Sequence, residues 1–433
     1  MRSPHADLLI RLADGTIKQR NPISDNEVWT VPGRGNRPLA PQLPDPVPLA
    51  ASRHGDFCAF CQKRYLETPP EQVRLVRTGR PGEDGDDWQQ LHRLPADKVF
   101  DTVAEFRCVP NLFEILSYDY WHLNHGYELT PVDAQHRADY LADAAGRAHV
   151  LAIARTKLRA AGRTDDEIAG MGDEAMLAQT TGFFGGGHDL IVARRHYVDG
   201  AKYSSELASS GTLSVEEHRH YIALTVAQLD YLYRSNPFAK YVAVFQNWLK
   251  PAGASFDHLH KQLVAIDSQG ARNEKVIRLL TEHPTAYQDR LLRPAREFGL
   301  VIARNDHAVA FAGFGHRFPT IEVFSTSPTC APQQQTADEV AAMSDLVHAV
   351  HAATGPHVPA NEEWHYRPRG TTVNIPWHIN IKWRISTLAG FEGGTKIYLN
   401  TIDPWTIRDR VVARLHELQA AGVVAPMTIS GRG

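Results

Sequence analysis

The chain has 433 residues, 43% hydrophobic and 22% charged, with Lys+Arg 46 against Asp+Glu 49 and a net charge of -3. That length supports two or three domain-sized units around a large core. The balanced charge argues against a nucleic-acid binder, and no apolar run approaches the length of a membrane span. The first residues lack the apolar core of a signal peptide, so the cytoplasm is the expected compartment.

In chain order, residues 20–50 are rich in proline and arginine and read as an extended arm. Next, Cys58 and Cys61 stand as C-x-x-C, a spacing that in a reducing compartment marks zinc more often than a disulfide. Cys108 and Cys330 read as single buried thiols. A strand is expected at Glu105–Val109, followed by Pro110, Asn111 and Phe113. From about 118 to 182 the pattern is helical, strongest over Ala134–Leu158 and Thr164–Gln179. Gly185–Gly187 reads as a turn before the strand Asp189–Ala193, since no G-K-[ST] follows to make a phosphate loop. Ser214 and Glu217 form a capping box at the head of an amphipathic helix carrying Ile222, Leu229 and Leu232. The strand Tyr241–Phe245 follows.

That strand feeds the segment with the most chemistry. It runs from Phe245 through Asn247, Gly253 and Ser255 to His258-x-His260-x-Gln262. Residues two apart on an extended chain share a side, so one strand can present two imidazoles and an amide to one substrate. Imidazole can be ligand, nucleophile or proton carrier near neutral pH, and an amide can donate to a phosphate oxygen without adding charge. The set suits chemistry at phosphorus.

The second half repeats the order. Strands are expected at Leu300–Ala303, His307–Phe311 and Thr320–Phe324, then a helix from Thr336. Trp377–Trp383, with His378 and Asn380, then stands where the first half has His258 and His260. This predicts an α+β fold of tandem units, each an antiparallel sheet with packed helices, plus the helical insertion. The expected division is 1–290 and 291–433, with asparagine at the nucleophile position of the second unit.

The segment Phe245–Gln262 resembles the active-site motif of galactose-1-phosphate uridylyltransferases, a branch of the histidine-triad superfamily, with Leu259 and Lys261 replacing a usual proline and glycine. The resemblance implies that His260 attacks the alpha phosphorus of a nucleotide sugar and that Gln262 holds the transferred group. Asn247, Gly253 and Ser255 would line the phosphate site, and Lys261 beside the nucleophile is expected to change which substrate fits. The resemblance also implies a structural zinc ion on Cys58, Cys61, His196 and His258. His188 and His54 are rival ligands. Arg34 and Arg37 match the family's phosphate-binding arginines, and Asn111 its nucleotide-contacting asparagine. Ala389–Asn400 resembles the family's sugar-side segment, which makes Glu392, Lys396 and Tyr398 candidate substrate contacts. Asn380 breaks the second H-x-H, so no iron site is expected.

The activity so implied is ping-pong nucleotidyl transfer from a nucleoside diphosphate sugar to a sugar 1-phosphate or inorganic phosphate. The rivals are a phosphorylase or hydrolase of the same superfamily, and a zinc-stabilised nucleotide-binding protein without activity. No nucleic-acid or membrane partner is expected; a homodimer is, by resemblance.

Overall fold

The computed structural model describes residues 5–33, 45–79 and 87–431. Arg34 and Arg37 lie outside the described residues. The strands are β1 (Leu9–Arg11), β2 (Ile17–Arg20), β3 (Glu27–Thr30), β4 (Val73–Arg77), β5 (Trp88–His92), β6 (Phe106–Pro110), β7 (His188–Ala193) and β8 (Tyr241–Trp248). They continue with β9 (His260–Ile266), β10 (Val301–Arg304), β11 (Ala308–Ala312), β12 (Thr320–Ser325), β13 (Ala360–His365), β14 (His378–Trp383), β15 (Ile397–Leu399) and β16 (Thr428–Ile429).

Twelve of them form one sheet among the described residues, in the order β16-β10-β11-β12-β14-β13-β8-β9-β7-β6-β4-β5. All its pairings are antiparallel, and the fold is α+β. The order mirrors itself about the β13–β8 seam, with six strands on each side. Each half is backed by a long helix, Val215–Ser235 or Ala337–Thr354, and the two helices pack together. Both begin with the same device. Ser214 Oγ accepts from Glu217 N at 3.1 Å while Glu217 accepts from Ser214 N at 2.7 Å, and Thr336 with Glu339 does likewise at 3.3 and 2.8 Å. A small sheet, β1-β2-β3-β15, joins the start of the chain to β15 through a parallel β3–β15 pair, so it crosses the division at 290/291.

The helical insertion is built from Pro131–Ala142, Ala144–Ala160 and shorter helices to either side. It has a core of its own around Val150, Ile153, Phe183 and Phe184. Gly187, at φ +89°, turns the chain from it into β7.

Strand period sets the site. Along β8, Val242, Val244, Gln246 and Trp248 are buried, while Ala243, Phe245 and Asn247 stand on the other face, half covered. Phe245 pairs with Gln262, so His260 and Gln262 share the Asn247 face. Lys261 therefore points the other way, under the helices, which corrects the expectation that it shapes the substrate site. Its Nζ lies fully buried 2.6 Å from Glu362 Oε1 and 3.2 Å from Gln246 Oε1, over the Tyr221 ring. Glu362 in turn accepts from His351 Nε2 at 2.8 Å and Trp364 Nε1 at 2.6 Å. Burial alone would raise the Glu362 pKa, but Lys261 and His351 outweigh it and hold the carboxylate ionised. The pair bridges β9 of one half and β13 of the other.

Breaking a buried pair strands a charge. Lys261→Met is expected to cost about 3–5 kcal/mol in equilibrium denaturation; a loss below about 1 kcal/mol would show that the pair does not hold the halves together. A second expectation concerns acid. Burial pushes His149 down from 6.5 to about 4, and His136 and His348 likewise to about 4. The folded values lie below the unfolded one, so the unfolded chain binds more protons between them. Stability is full above pH 6.5 and is lost as pH falls toward 4. The thermal midpoint should be level above neutrality and drop across that window. A midpoint unchanged down to pH 4.5 would contradict it.

Candidate active site and metal centre

The chain leaves β8 through Leu249, held at φ +66°, and a tight turn that closes at Gly253, φ +86°. It then returns through residues 254–257 to His258. A Cβ on Gly253 would approach Asn247 Nδ2 at 4.0 Å, so the turn brings the motif's glycine over its asparagine. Ser255 is exposed on this loop.

His258 sits just before β9 and serves two neighbours. Its Nδ1 is 3.4 Å from Cys58 Sγ and 3.8 Å from Cys61 Sγ, and His196 Nδ1 is 3.4 and 4.0 Å from the same sulfurs. The sulfurs are 3.9 Å apart. The edges of a tetrahedral zinc site with two thiolates and two imidazoles would be about 3.3–3.8 Å, so the four donors fit such an ion with little adjustment. All four ligand atoms lie within 4.8 Å of one another. Phe57 N and Cys58 N donate to Cys61 Sγ at 3.3 and 3.4 Å. The contact between the two sulfurs, with the imidazoles, pushes the Cys61 thiol far down, and the same contact with burial pushes the Cys58 thiol far up, so the set holds one thiolate and binding an ion would release the second proton. His258 Nε2 donates to Ala193 O at 2.7 Å, which fixes Nδ1 as the ligand atom. Neither rival joins the set: His188 lies on β7, and His54 is outside the cluster.

The second neighbour is His260. His258 O accepts from His260 Nδ1 at 2.7 Å, which leaves the lone pair on Nε2. Among the described residues no hydrogen bond reaches that Nε2. Phe60, from the C-x-x-C turn, packs beside the ring at 5.2 Å between centroids. Burial pushes the His260 pKa down to about 4, so its imidazole is neutral at pH 7.

Gln262 continues the row, and its orienting partner is His188, a role sequence reasoning missed. Ile115 N donates to His188 Nδ1 at 3.2 Å, which puts the ring proton on Nε2, 3.2 Å from Gln262 Oε1. With its oxygen engaged by His188, the Gln262 amide has no hydrogen bond on its N–H groups among the described residues. Asn111 Nδ2 lies 3.0 Å from the same His188 nitrogen, which cannot accept from it while donating to Gln262, and Asn111 Oδ1 accepts from Phe113 N at 3.0 Å. The signal for His188 was its place on β7, where Leu190 pairs with Gln262.

The other expected contacts are spread out. Glu392 caps its own short helix, accepting from Ala389 N at 3.0 Å. Lys396 is exposed at φ +60°, and Tyr398 lies under Arg317 at 5.2 Å. Among the described residues no hydrogen bond or ring contact links these three to His260 or Gln262.

The second half also departs from expectation. Val192 pairs with His260 and Phe324 with His378, and His378 Nδ1 donates to Pro376 O at 2.7 Å as His260 Nδ1 does to His258 O. His378, not Asn380, is thus the counterpart of His260. Its Nε2 is occupied by Arg272, whose Nη2 lies 3.3 Å away, so no free nucleophile results.

The purified protein is expected to carry one zinc ion per chain by metal analysis, and Cys61→Ser to lose it with a fall in thermal midpoint. Full zinc content in that variant would show that the ion binds elsewhere.

A family model described as "Domain of unknown function (DUF4921)" matches residues 12–431. No curated protein matches. Among solved structures, an ADP-glucose phosphorylase from Arabidopsis thaliana with bound ADP-glucose aligns at 17% identity and TM-score 0.57, over 92% of this chain and 98% of that one. A galt-like protein from the same plant aligns at 16% identity and TM-score 0.54, over 91% and 98%. The fold is the one these structures share.

Proposed function

We propose that this chain, which belongs to the DUF4921 family, is a nucleotidyltransferase acting on a nucleoside diphosphate sugar through a nucleotidyl-histidine. The observation that carries the reading is His260: buried, anchored at Nδ1 by His258 O at 2.7 Å, with no hydrogen bond at Nε2 among the described residues and on the same face of β9 as Gln262. An anchored neutral imidazole has one lone pair to give, and its aim is set before substrate arrives.

In the first half-reaction a bond forms between His260 Nε2 and the alpha phosphorus. The bond from that phosphorus to the bridging oxygen breaks, and sugar 1-phosphate leaves with the electron pair. The Gln262 N–H groups face the phosphoryl oxygens, where charge accumulates. In the second, an oxygen of the acceptor attacks the same phosphorus, the P–N bond breaks, and neutral His260 returns. His258 holds the nucleophile through its carbonyl, and a zinc ion on Cys58, Cys61, His196 and His258 would keep that carbonyl in place. Hydrolases of the superfamily that the chain resembles carry a third histidine where Gln262 stands, so glutamine there supports transfer over hydrolysis. Arg34 and Arg37 remain the proposed phosphate ligands, with Asn111 on the nucleotide and Asn247, Gly253 and Ser255 near the phosphates.

A second reading makes inorganic phosphate the acceptor. The likeness in fold to an ADP-glucose phosphorylase favours it.

Intact-protein mass after incubation with UDP-glucose, ADP-glucose or a GDP-sugar, without acceptor, tests the reading. One nucleoside monophosphate should be gained with the right donor, none in His260→Gly, and the adduct should discharge on adding phosphate or a sugar 1-phosphate. No adduct with any donor in folded, zinc-loaded protein would sink the proposal and favour a binding role.

A further inference from the structure

The helical insertion takes no part in the chemistry proposed above, yet one of its side chains reaches the loop that holds His188. Asn111 N donates to His188 O at 2.8 Å and Ile115 N to His188 Nδ1 at 3.2 Å, so residues 111–115 grip this histidine by backbone and by ring. Between those two contacts lies Glu114. Its side chain is 4% exposed, and its carboxylate rests on Gly182 and Gly186, in the turn that feeds β7 and His188. A Cβ on Gly186 would overlap Glu114 Oε1, so only glycine leaves room for the carboxylate there.

Lys157, near the end of the helix Ala144–Ala160, holds that carboxylate. Its Nζ lies 3.5 Å from Glu114 Oε2 and 5.5 Å from the centre of the Phe183 ring, on the same turn. Among the described residues no other cation lies within ion-pair distance of Glu114. Glu114 Oε1 is buried with no hydrogen-bond partner, and burial pushes the carboxyl up to about 7 against the pull of Lys157. Without Lys157 the carboxyl has no counter-charge, and it would protonate or swing out to water. One side chain thus joins loop, turn and insertion helix. His188 Nδ1 accepts from Ile115 N only while the ring proton stays on Nε2, and that proton engages Gln262 Oε1 at 3.2 Å. Once Ile115 N moves off, the tautomer is no longer fixed and Gln262 is free to turn.

We propose that the helical insertion is a positioning element: through Lys157 and Glu114 it locks the tautomer of His188 and thereby the amide of Gln262. Its effect on rate rests on the nucleotidyl-histidine reading; its effect on His188 does not.

The imidazole nitrogen resonances of His188, identified by their loss in His188→Gln, would be recorded without ligand on zinc-loaded wild type, Lys157→Met, Glu114→Ala and Glu114→Gln. Wild type should show Nε2 protonated and Nδ1 bare. Lys157→Met and Glu114→Ala should show averaging between tautomers, and Glu114→Gln, which keeps the shape and an acceptor, should restore the wild-type pattern. With the right donor at saturation, adduct formation should slow about tenfold or more in Lys157→Met and Glu114→Ala. Glu114→Ala should add nothing further in a His188→Gln background. A fixed tautomer in both variants would overturn the proposal, as would a loss carried wholly by donor affinity. Lys157 is 36% exposed, so Lys157→Met decides the matter if Glu114→Ala fails to fold. No adduct in wild type would count against the proposed function instead, with the coupling to His188 still read from its resonances.

Discussion

One residue ties the site together. His258 gives its ring to the cysteine cluster and its carbonyl to His260 Nδ1. Anchoring the ring limits how far the residue can shift, and its carbonyl sets which nitrogen of His260 is free. A donor cluster that would otherwise only staple the C-x-x-C segment to the sheet thus also fixes the aim of a side chain two residues on. Phe60 adds to this coupling, because the same turn that supplies the cysteines places its ring against His260.

The two halves share a frame and differ in what they do with it. Strand order, capping boxes and the local geometry of His260 and His378 all repeat. What separates them is a few side chains. Arg272 occupies His378 Nε2, the nitrogen that His260 leaves without a hydrogen bond among the described residues, and His378 stacks on Phe324 at 4.4 Å with its ring nearly parallel. Lys261 and Glu362 then join the halves under the helices, so the quiet half buttresses the strand that carries His260.

Much of this was legible in the chain. The capping boxes at Ser214 and Thr336 and the alternation along Tyr241–Trp248 are local signals, and the structure places helices and strand there. The donors Cys58, Cys61, His196 and His258 come together as the resemblance implied, with spacing alone marking only the two cysteines. The misses were non-local. Lys261 could be placed beside its neighbour in sequence, but its partner Glu362 is 101 residues away and on the other face. His378 was offset by two because an H-x-polar pattern does not report register; the pairing with Phe324 does. Arg272 carries no motif at all.

β9 has β7 and β8 hydrogen-bonded to either side, and neither is at the margin of the sheet. A strand so enclosed cannot shift along its axis or peel away without breaking two ladders at once. His260 is therefore mounted on an anvil. Under the proposed function, what adjusts to admit substrates is the turn from Leu249 to Asp257, since the C-x-x-C segment is tied to His258 and His260. On that same proposal, the aim of His260 then rests on β9 and the donor cluster, and access on that turn.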